Sequence, residues 1–323
     1  MPLSFFTATL AAWRAAHAER VSAMAPAPDA AVKLSIKVIE GAKSAASLGT
    51  EREGTGIVIG ERGLILTIGY LIIEAASILV MMGDGRVYPA VVEGFDQATG
   101  FGLLRAPGVA VAPVPLGDSG AIRELDSVAI VAHAAADGIS EAAVVSRRPF
   151  VGWWEYLLED ALFTAPPRAE HSGAGLFDGS ARLIGVGSLW VGDALDVGAA
   201  FPGNMFVPID LLKPILADLV ATGRRNGPQR PWLGVYTEQH DDQVLVSRVL
   251  PDSPAHRCGL QRGDIILGVA GESIGGQSEF YERLWSCGEA GVEVDLHVLQ
   301  DKKVTELRVK TMDRLEYFKP WTF

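Results

Sequence analysis

"HSGAGLFDGSARLIGVGS", residues 171–188, sets a serine before a Gly-Ala-Gly run and an Asp-Gly turn. Apolar segments flank it, Leu162-Phe163-Thr164 before and Arg182 to Val186 after, so Ser172 sits on a tight connection between two strands. Such a serine has two readings. In one, the hydroxyl bonds the local backbone and the glycines supply turn geometry. In the other, the turn presents the hydroxyl to a substrate and aligns backbone N–H groups for a developing oxyanion.

Outward from this turn the chain reads as short strands separated by glycine and aspartate turns. A first set covers Ala31 to Val38, Gly54 to Gly60, Gly63 to Thr67, Ile78 to Met82, Arg86 to Gly94 and Phe101 to Ala106, with "GDGR" (83–86) closing a hairpin. A second set covers Ser127 to Ala132, Ile139 to Ser146, Ala161 to Ala165, Ala174 to Phe177, Arg182 to Leu189 and Gly198 to Val207. Two groups of about six antiparallel strands predict two packed barrels. "PIDLLKPILADLVATGRR" predicts a helix capped near Asp210 and stopped at Gly223. "NGPQRP" (226–231) reads as a linker, and a module of mixed strands and helix follows, with a helix near Ser278 to Ser286.

The chain has 323 residues, 49% of them hydrophobic, enough for two or three domains with proper cores. Its net charge of -11 argues against nucleic acid and acidic lipid as partners. Cys258 and Cys287 give neither a disulfide framework nor metal spacing and read as small buried hydrophobes; the six histidines offer no i, i+4 pair, so no metal and no cofactor is expected. The first twenty residues favour an amphipathic helix over a poorly formed export signal, leaving periplasm and cytoplasm both open. The longest apolar run, Leu64 to Met82, contains Gly69 and Glu74 and reads as strand, turn and strand rather than a membrane span.

The order of these pieces resembles the HtrA/DegP family of trypsin-like serine proteases, in which a double-barrel protease domain precedes a PDZ domain. "GTGIVIGERGLILT" (54–67), "VVEGFDQATGFGLLRA" (91–106), the serine turn and "MFVPIDLLKPILADL" (205–219) carry the likeness to the barrels. "RPWLGVY" (230–236) and "VLPDSPAHRCGLQRGDIILGVAGESI" (249–274) carry it to the PDZ domain. The resemblance implies a mainly β fold: a trypsin-like double six-stranded β-barrel, then an α+β PDZ domain. The implied boundaries are an N-terminal segment at 1–30, barrels at 31–223, a linker at 224–231, the PDZ domain at 232–311 and an aromatic tail at 312–323.

The family's chemistry uses serine as nucleophile, histidine as proton acceptor and aspartate as orienter. On the family's motifs, Ser172 keeps the nucleophile position. Tyr70 falls where the histidine belongs and Gly100 where the aspartate belongs, 30 residues apart and with 72 more to Ser172. A phenol with a pKa near ~10 is a poor base at neutral pH. The oxyanion turn, Gly-Asn-Ser-Gly in the family, reads Glu170-His171-Ser172-Gly173 here, and Glu170 is expected to strain it. These departures imply a catalytically inactive homologue, a pseudoprotease that binds or scaffolds proteins. The alternative is a divergent serine endopeptidase of protein quality control with a relocated base. For it, a histidine or lysine nitrogen must lie within about 3 Å of the Ser172 hydroxyl. His171, His133, Lys33, Lys37, Lys43 and Lys213 are the residues to check.

In the PDZ domain the resemblance places a peptide's terminal carboxylate on backbone N–H groups around Trp232, Leu233, Gly234 and Val235. Phe280 and Leu284, with Tyr281, form the opposite groove wall, Leu284 being as well suited to a core. The expected partners are peptides or protein C-termini. A homo-trimer, or a mixed oligomer with an active homologue through the N-terminal aromatics, is a further expectation. Trp153-Trp154 reads either as a partner surface or as buried under a loop, and "YFKPWTF" (317–323) either docks on a neighbour or folds back.

Overall fold

A computed structural model describes residues 28–133, 138–152 and 156–318. The N-terminal helix, Trp153-Trp154 and the last five residues of the tail lie outside the described residues. The chain divides into two compact units, one of residues 28–148 with 160–225, the other of 149–159 with 226–318.

Two closed six-stranded barrels account for most of the first unit. The first is built from β1 (Ala31–Val38), β2 (Glu51–Gly60), β3 (Leu64–Ile68), β4 (Ala75–Met81), β5 (Val87–Phe95) and β6 (Phe101–Arg105) in the order β1-β2-β3-β6-β5-β4. Alternation makes these strands: in β1, Val32, Leu34 and Ile36 face the core, while Lys33 and Lys37 face out and pair with Glu53 and Glu51 on β2. The second barrel comprises β7 (Ser127–Val131), β8 (Ile139–Gly152), β9 (Tyr156–Ala165), β10 (Gly175–Phe177), β11 (Leu183–Val191) and β12 (Gly203–Pro208), ordered β10-β11-β12-β9-β8-β7. Val128, Ile130, Val144, Leu162, Leu176, Ile184 and Phe206 fill it. The Leu64–Met82 run is indeed strand, 3-10 turn (Gly69–Leu71) and strand.

Helix α1 is a single turn, Ala45–Leu48, and α2 covers only Leu216–Thr222. The helix expected from Asp210 is therefore shorter. Pro214 cannot donate an N–H to an α-helical ladder, and a 3-10 turn at Ile209–Leu211 takes its place. The end is as expected: Gly223, at φ +76°, donates to the Leu219 carbonyl.

The second unit carries a six-stranded sheet of β13 (Val235–His240), β14 (Gln243–Val249), β15 (Ile265–Val269), β16 (Glu272–Ser273), β17 (Glu293–Gln300) and β18 (Lys303–Lys310). Helices α3 (Pro254–Arg257), α4 (Gln277–Ser286) and α5 (Arg314–Tyr317) complete it. Ser253 caps α3 by accepting the His256 N–H at 3.2 Å. The ends of the module are tied by reciprocal main-chain bonds between Trp232 and Met312. Tyr317 folds back onto Trp232, ring centres 4.9 Å apart, and its hydroxyl donates to the Pro251 carbonyl at 2.8 Å. Cys258 and Cys287 are free and half-buried against this core. Among the described residues no helix is long and apolar enough to cross a membrane.

Candidate active site and peptide-binding module

The Ser172 turn is held from three sides. Ala174 donates to the His171 carbonyl at 3.0 Å, Gly173 to that of Gly187 at 2.9 Å, and Thr55 of β2 to that of Ser172 at 2.8 Å. The last contact joins the two barrels at the serine. It explains the glycines beside it: a Cβ on Gly173, at φ +76°, falls 2.0 Å from the Thr55 carbonyl oxygen, and one on Gly54 falls 2.8 Å from the Ser172 oxygen. The Thr67 hydroxyl fixes the same seam, donating to the Thr55 carbonyl at 2.7 Å.

Tyr70, on the 3-10 turn that ends β3, reaches this serine. Its hydroxyl lies 2.8 Å from Ser172 Oγ and 2.8 Å from the Ser188 carbonyl oxygen. The carbonyl only accepts, so both bonds are satisfied when the phenol donates to Ser188 and accepts the Ser172 hydrogen. Burial pushes the Tyr70 phenol well above its ordinary range, the bond to Ser172 pulling weakly the other way. The pair is neutral at pH 7.

Among the described residues no carboxylate bonds the Tyr70 hydroxyl. Gly100, at φ +78°, accepts the Gly69 N–H on its own carbonyl at 2.6 Å, and the Phe95 ring closes on Gly69. The nearby buried Asp96 is committed to its own turn, accepting the Thr99 N–H at 2.9 Å and hydroxyl at 2.6 Å, and to Arg225 at 2.9 Å.

Glu170 corrects one expectation. It does not strain the turn, because it is not among the residues with positive φ, and its half-exposed carboxylate pairs with Arg168 at 3.3 Å. The main-chain N–H groups of Glu170 and Ser172 donate to no group among the described residues. Both donors are thus uncommitted.

No histidine or lysine nitrogen bonds the Ser172 hydroxyl among the described residues. His171 Nδ1 lies 3.3 Å from the Arg168 carbonyl oxygen, and His133 Nδ1 lies 3.5 Å from the Thr55 hydroxyl. Burial lowers both pKa values, so both rings are neutral at pH 7. Lys33, Lys37 and Lys213 pair with Glu53, Glu51 and Asp210. Among the described residues the side chain that bonds the Ser172 hydroxyl is Tyr70, at the position where the resemblance places the histidine.

In the second unit, Leu233, Val235, Phe280, Tyr281 and Leu284 converge in one apolar cluster and are buried in full or nearly so. Gly234 has φ +83°, and a Cβ there falls 2.2 Å from Ser253 Cβ, so only glycine fits the loop before β13. The sequence reading missed a polar group at the same place: Gln277 Nε2 donates to the Thr237 carbonyl at 2.8 Å, and the Thr237 and Tyr281 hydroxyls stand 2.7 Å apart. It also missed Arg52, Ser44 and Glu74 beneath Tyr70. A glutamate inside the longest apolar run was the signal, since a buried charge requires partners.

The trypsin-like peptidase domain family matches residues 54–186, and the PDZ domain family matches residues 231–311. The chain thus carries a trypsin-like peptidase domain followed by a PDZ domain, and it is similar to HtrA/DegP proteins. It is 27% identical over 249 residues to the putative serine protease HhoA of Synechocystis sp., covering 69% of this chain and 61% of that protein. To a probable periplasmic serine endoprotease, DegP-like, of Marinomonas sp. it is 28% identical over 274 residues, 79% of this chain and 56% of the relative. The chain thus spans about three fifths of the length of these relatives. The HtrA-type protease AlgW with decapeptide shares the fold, with TM-score 0.55 and 20% identity over 94% of this chain and 99% of that one. The serine endoprotease of Yersinia pestis does so with TM-score 0.54 and 20% identity, over 92% and 97%.

These relatives overturn one expectation. The HtrA homologues are named serine proteases and endoproteases, and nothing shows inactivity, so the reading of this chain as a non-enzyme is withdrawn. The physical reason lies in how the site was weighed. Imidazole and carboxylate are absent from their expected positions, but Ser172 stands on a tight turn with the Tyr70 hydroxyl bonded to its own at 2.8 Å. The PDZ domain implies peptide binding.

Proposed function

We propose that this chain is a serine endopeptidase of protein quality control, with Ser172 as nucleophile and Tyr70 as the group that takes its proton. The bond between the two hydroxyls carries this reading. Ser172 Oγ attacks the peptide carbonyl as its hydrogen passes to the phenolate form of Tyr70. The oxyanion falls to the uncommitted N–H groups of Glu170 and Ser172. Collapse breaks the C–N bond, and the amine leaves with the proton now held on Tyr70. Water then releases the acyl group by the same route in reverse.

The phenolate is a minor species at neutral pH, so the reaction is slow there and quickens as pH rises. A site working from its oxyanion donors and binding alone retains on the order of 10³- to 10⁴-fold acceleration over water. The PDZ module supplies capture, holding an extended peptide or protein C-terminus beside the loop Trp232-Leu233-Gly234-Val235. Assembly as a homo-trimer is carried by the family resemblance.

Casein incubated with the purified chain and with Ser172→Ala tests the function. The parent is expected to cleave at pH 9 and the variant not to; equal fragments from both, or none from either, would overturn it.

A further inference from the structure

Arg52 on β2 is buried, 5% exposed, and so are Ser44 and Glu74. Its guanidinium holds main chain. Nη1 donates to the carbonyls of Tyr70 at 2.9 Å and Ile73 at 2.8 Å, and Nε to that of Gly49 at 3.3 Å. Nη2 donates to the Ser44 hydroxyl at 2.7 Å, which donates onward to Glu74 Oε2 at 2.6 Å. The Glu74 carboxylate also accepts the main-chain N–H of Lys43 at 3.1 Å and of Ser44 at 2.7 Å. Glu74 is wholly buried at φ +58°, a conformation that side chains disfavour.

A buried guanidinium is costly unless its hydrogen bonds are filled, and here both Nη1 bonds go to the turn that carries Tyr70. Burial lowers the Arg52 pKa to about 10, Glu74 opposing the shift, so the group is charged at neutral pH. The residue-70 position needs such support. In a triad an orienting carboxylate fixes the base through its side chain. At Gly100 there is no side chain, and Tyr70 is held at its hydroxyl end by Ser172 and Ser188.

We propose that Arg52, with Ser44 and Glu74, is a positioning residue that fixes the Tyr70 hydroxyl against Ser172 by gripping the main chain of the 69–74 turn. It does from the backbone what a carboxylate at residue 100 would do from behind the ring. This rests on the reading of Tyr70 and Ser172 as the reacting pair.

The test uses the full chain with Arg52→Met, Arg52→Lys and, as a control elsewhere in the same barrel, Leu34→Ala. Two quantities are read: the titration of Tyr70, taken as the ultraviolet difference between each protein and its Tyr70→Phe counterpart, and the rate at which a fluorophosphonate labels Ser172 at pH 9. In Arg52→Met the Tyr70 titration is expected to fall back toward the ordinary value near ~10 and labelling to slow about tenfold. Arg52→Lys recovers part of both, and Leu34→Ala moves neither. Parental titration and labelling within twofold in Arg52→Met would overturn the proposal. Should Arg52→Met not fold, Ser44→Ala cuts the relay and leaves the guanidinium in place. It is expected to move both readouts the same way by about threefold, and no change would overturn the proposal equally. If Ser172 never labels in any protein, the peptidase reading fails, while the titration still decides the role of Arg52.

Discussion

The Tyr70 hydroxyl stands 2.8 Å from Ser172 Oγ while also bonding the Ser188 carbonyl, so the two barrels meet at a pair of hydroxyls. Tyr70→Phe removes the proton acceptor and leaves the ring. Ser172 turnover is expected to fall about 10²- to 10⁴-fold, with KM little changed, because the phenol oxygen acts on the nucleophile rather than on substrate binding. Steady-state peptide kinetics check this.

The same burial sets two pH dependences. Turnover is expected to rise about tenfold per pH unit between 7 and 9, following the phenolate fraction. Stability moves the other way. The folded-state pKa of Tyr70 is raised above the unfolded value near ~10, so its contribution is complete below pH 10. Above pH 10 the unfolded chain ionises first, and stability falls. Urea unfolding at pH 8 and 10.5, compared with Tyr70→Phe, is expected to show the loss in the parent alone.

At the seam beside the serine, Gly173→Ala combines a left-handed backbone with a Cβ 2.0 Å from the Thr55 carbonyl oxygen. The variant is expected to lose about 2–4 kcal/mol of stability and its Ser172 reactivity together. Chemical denaturation and phosphonate labelling measure the two. An alanine at exposed Gly85, where a Cβ meets nothing within 4 Å, tests left-handed strain without a clash and is expected to cost about 1 kcal/mol.

In the PDZ unit, Phe280 is fully buried, and Phe280→Ala is expected to cost about 3–5 kcal/mol. Gln277→Ala frees the Thr237 carbonyl on β13 at smaller cost, and is expected to change peptide affinity more than stability. Calorimetric titration with C-terminal peptides, beside thermal unfolding, separates the two.

Much of the fold is legible because it is periodic. β1 is predicted at its observed ends, since Val32, Leu34 and Ile36 alternate with Lys33, Ser35 and Lys37. The "GDGR" turn likewise joins the two strands it was expected to join. Helix α2 was overextended because apolar spacing from Leu212 says nothing of the ladder broken at Pro214. The site was legible by position and not by chemistry. The family resemblance leads to Tyr70, Gly100 and Ser172, but the Ser188 carbonyl that bonds the phenol lies 118 residues from Tyr70 in sequence. Arg52 and Glu74 are likewise bridged by Ser44, a contact that no local pattern encodes.

The central claim is that Ser172 reacts and that Tyr70 takes its proton. Mass spectrometry of the intact chain after fluorophosphonate treatment, across pH 7 to 10, addresses both at once. The account predicts one adduct, located on Ser172, forming faster at each step in pH and suppressed in Tyr70→Phe. An unmodified chain throughout, or an adduct rate flat with pH and unchanged by Tyr70→Phe, would contradict it.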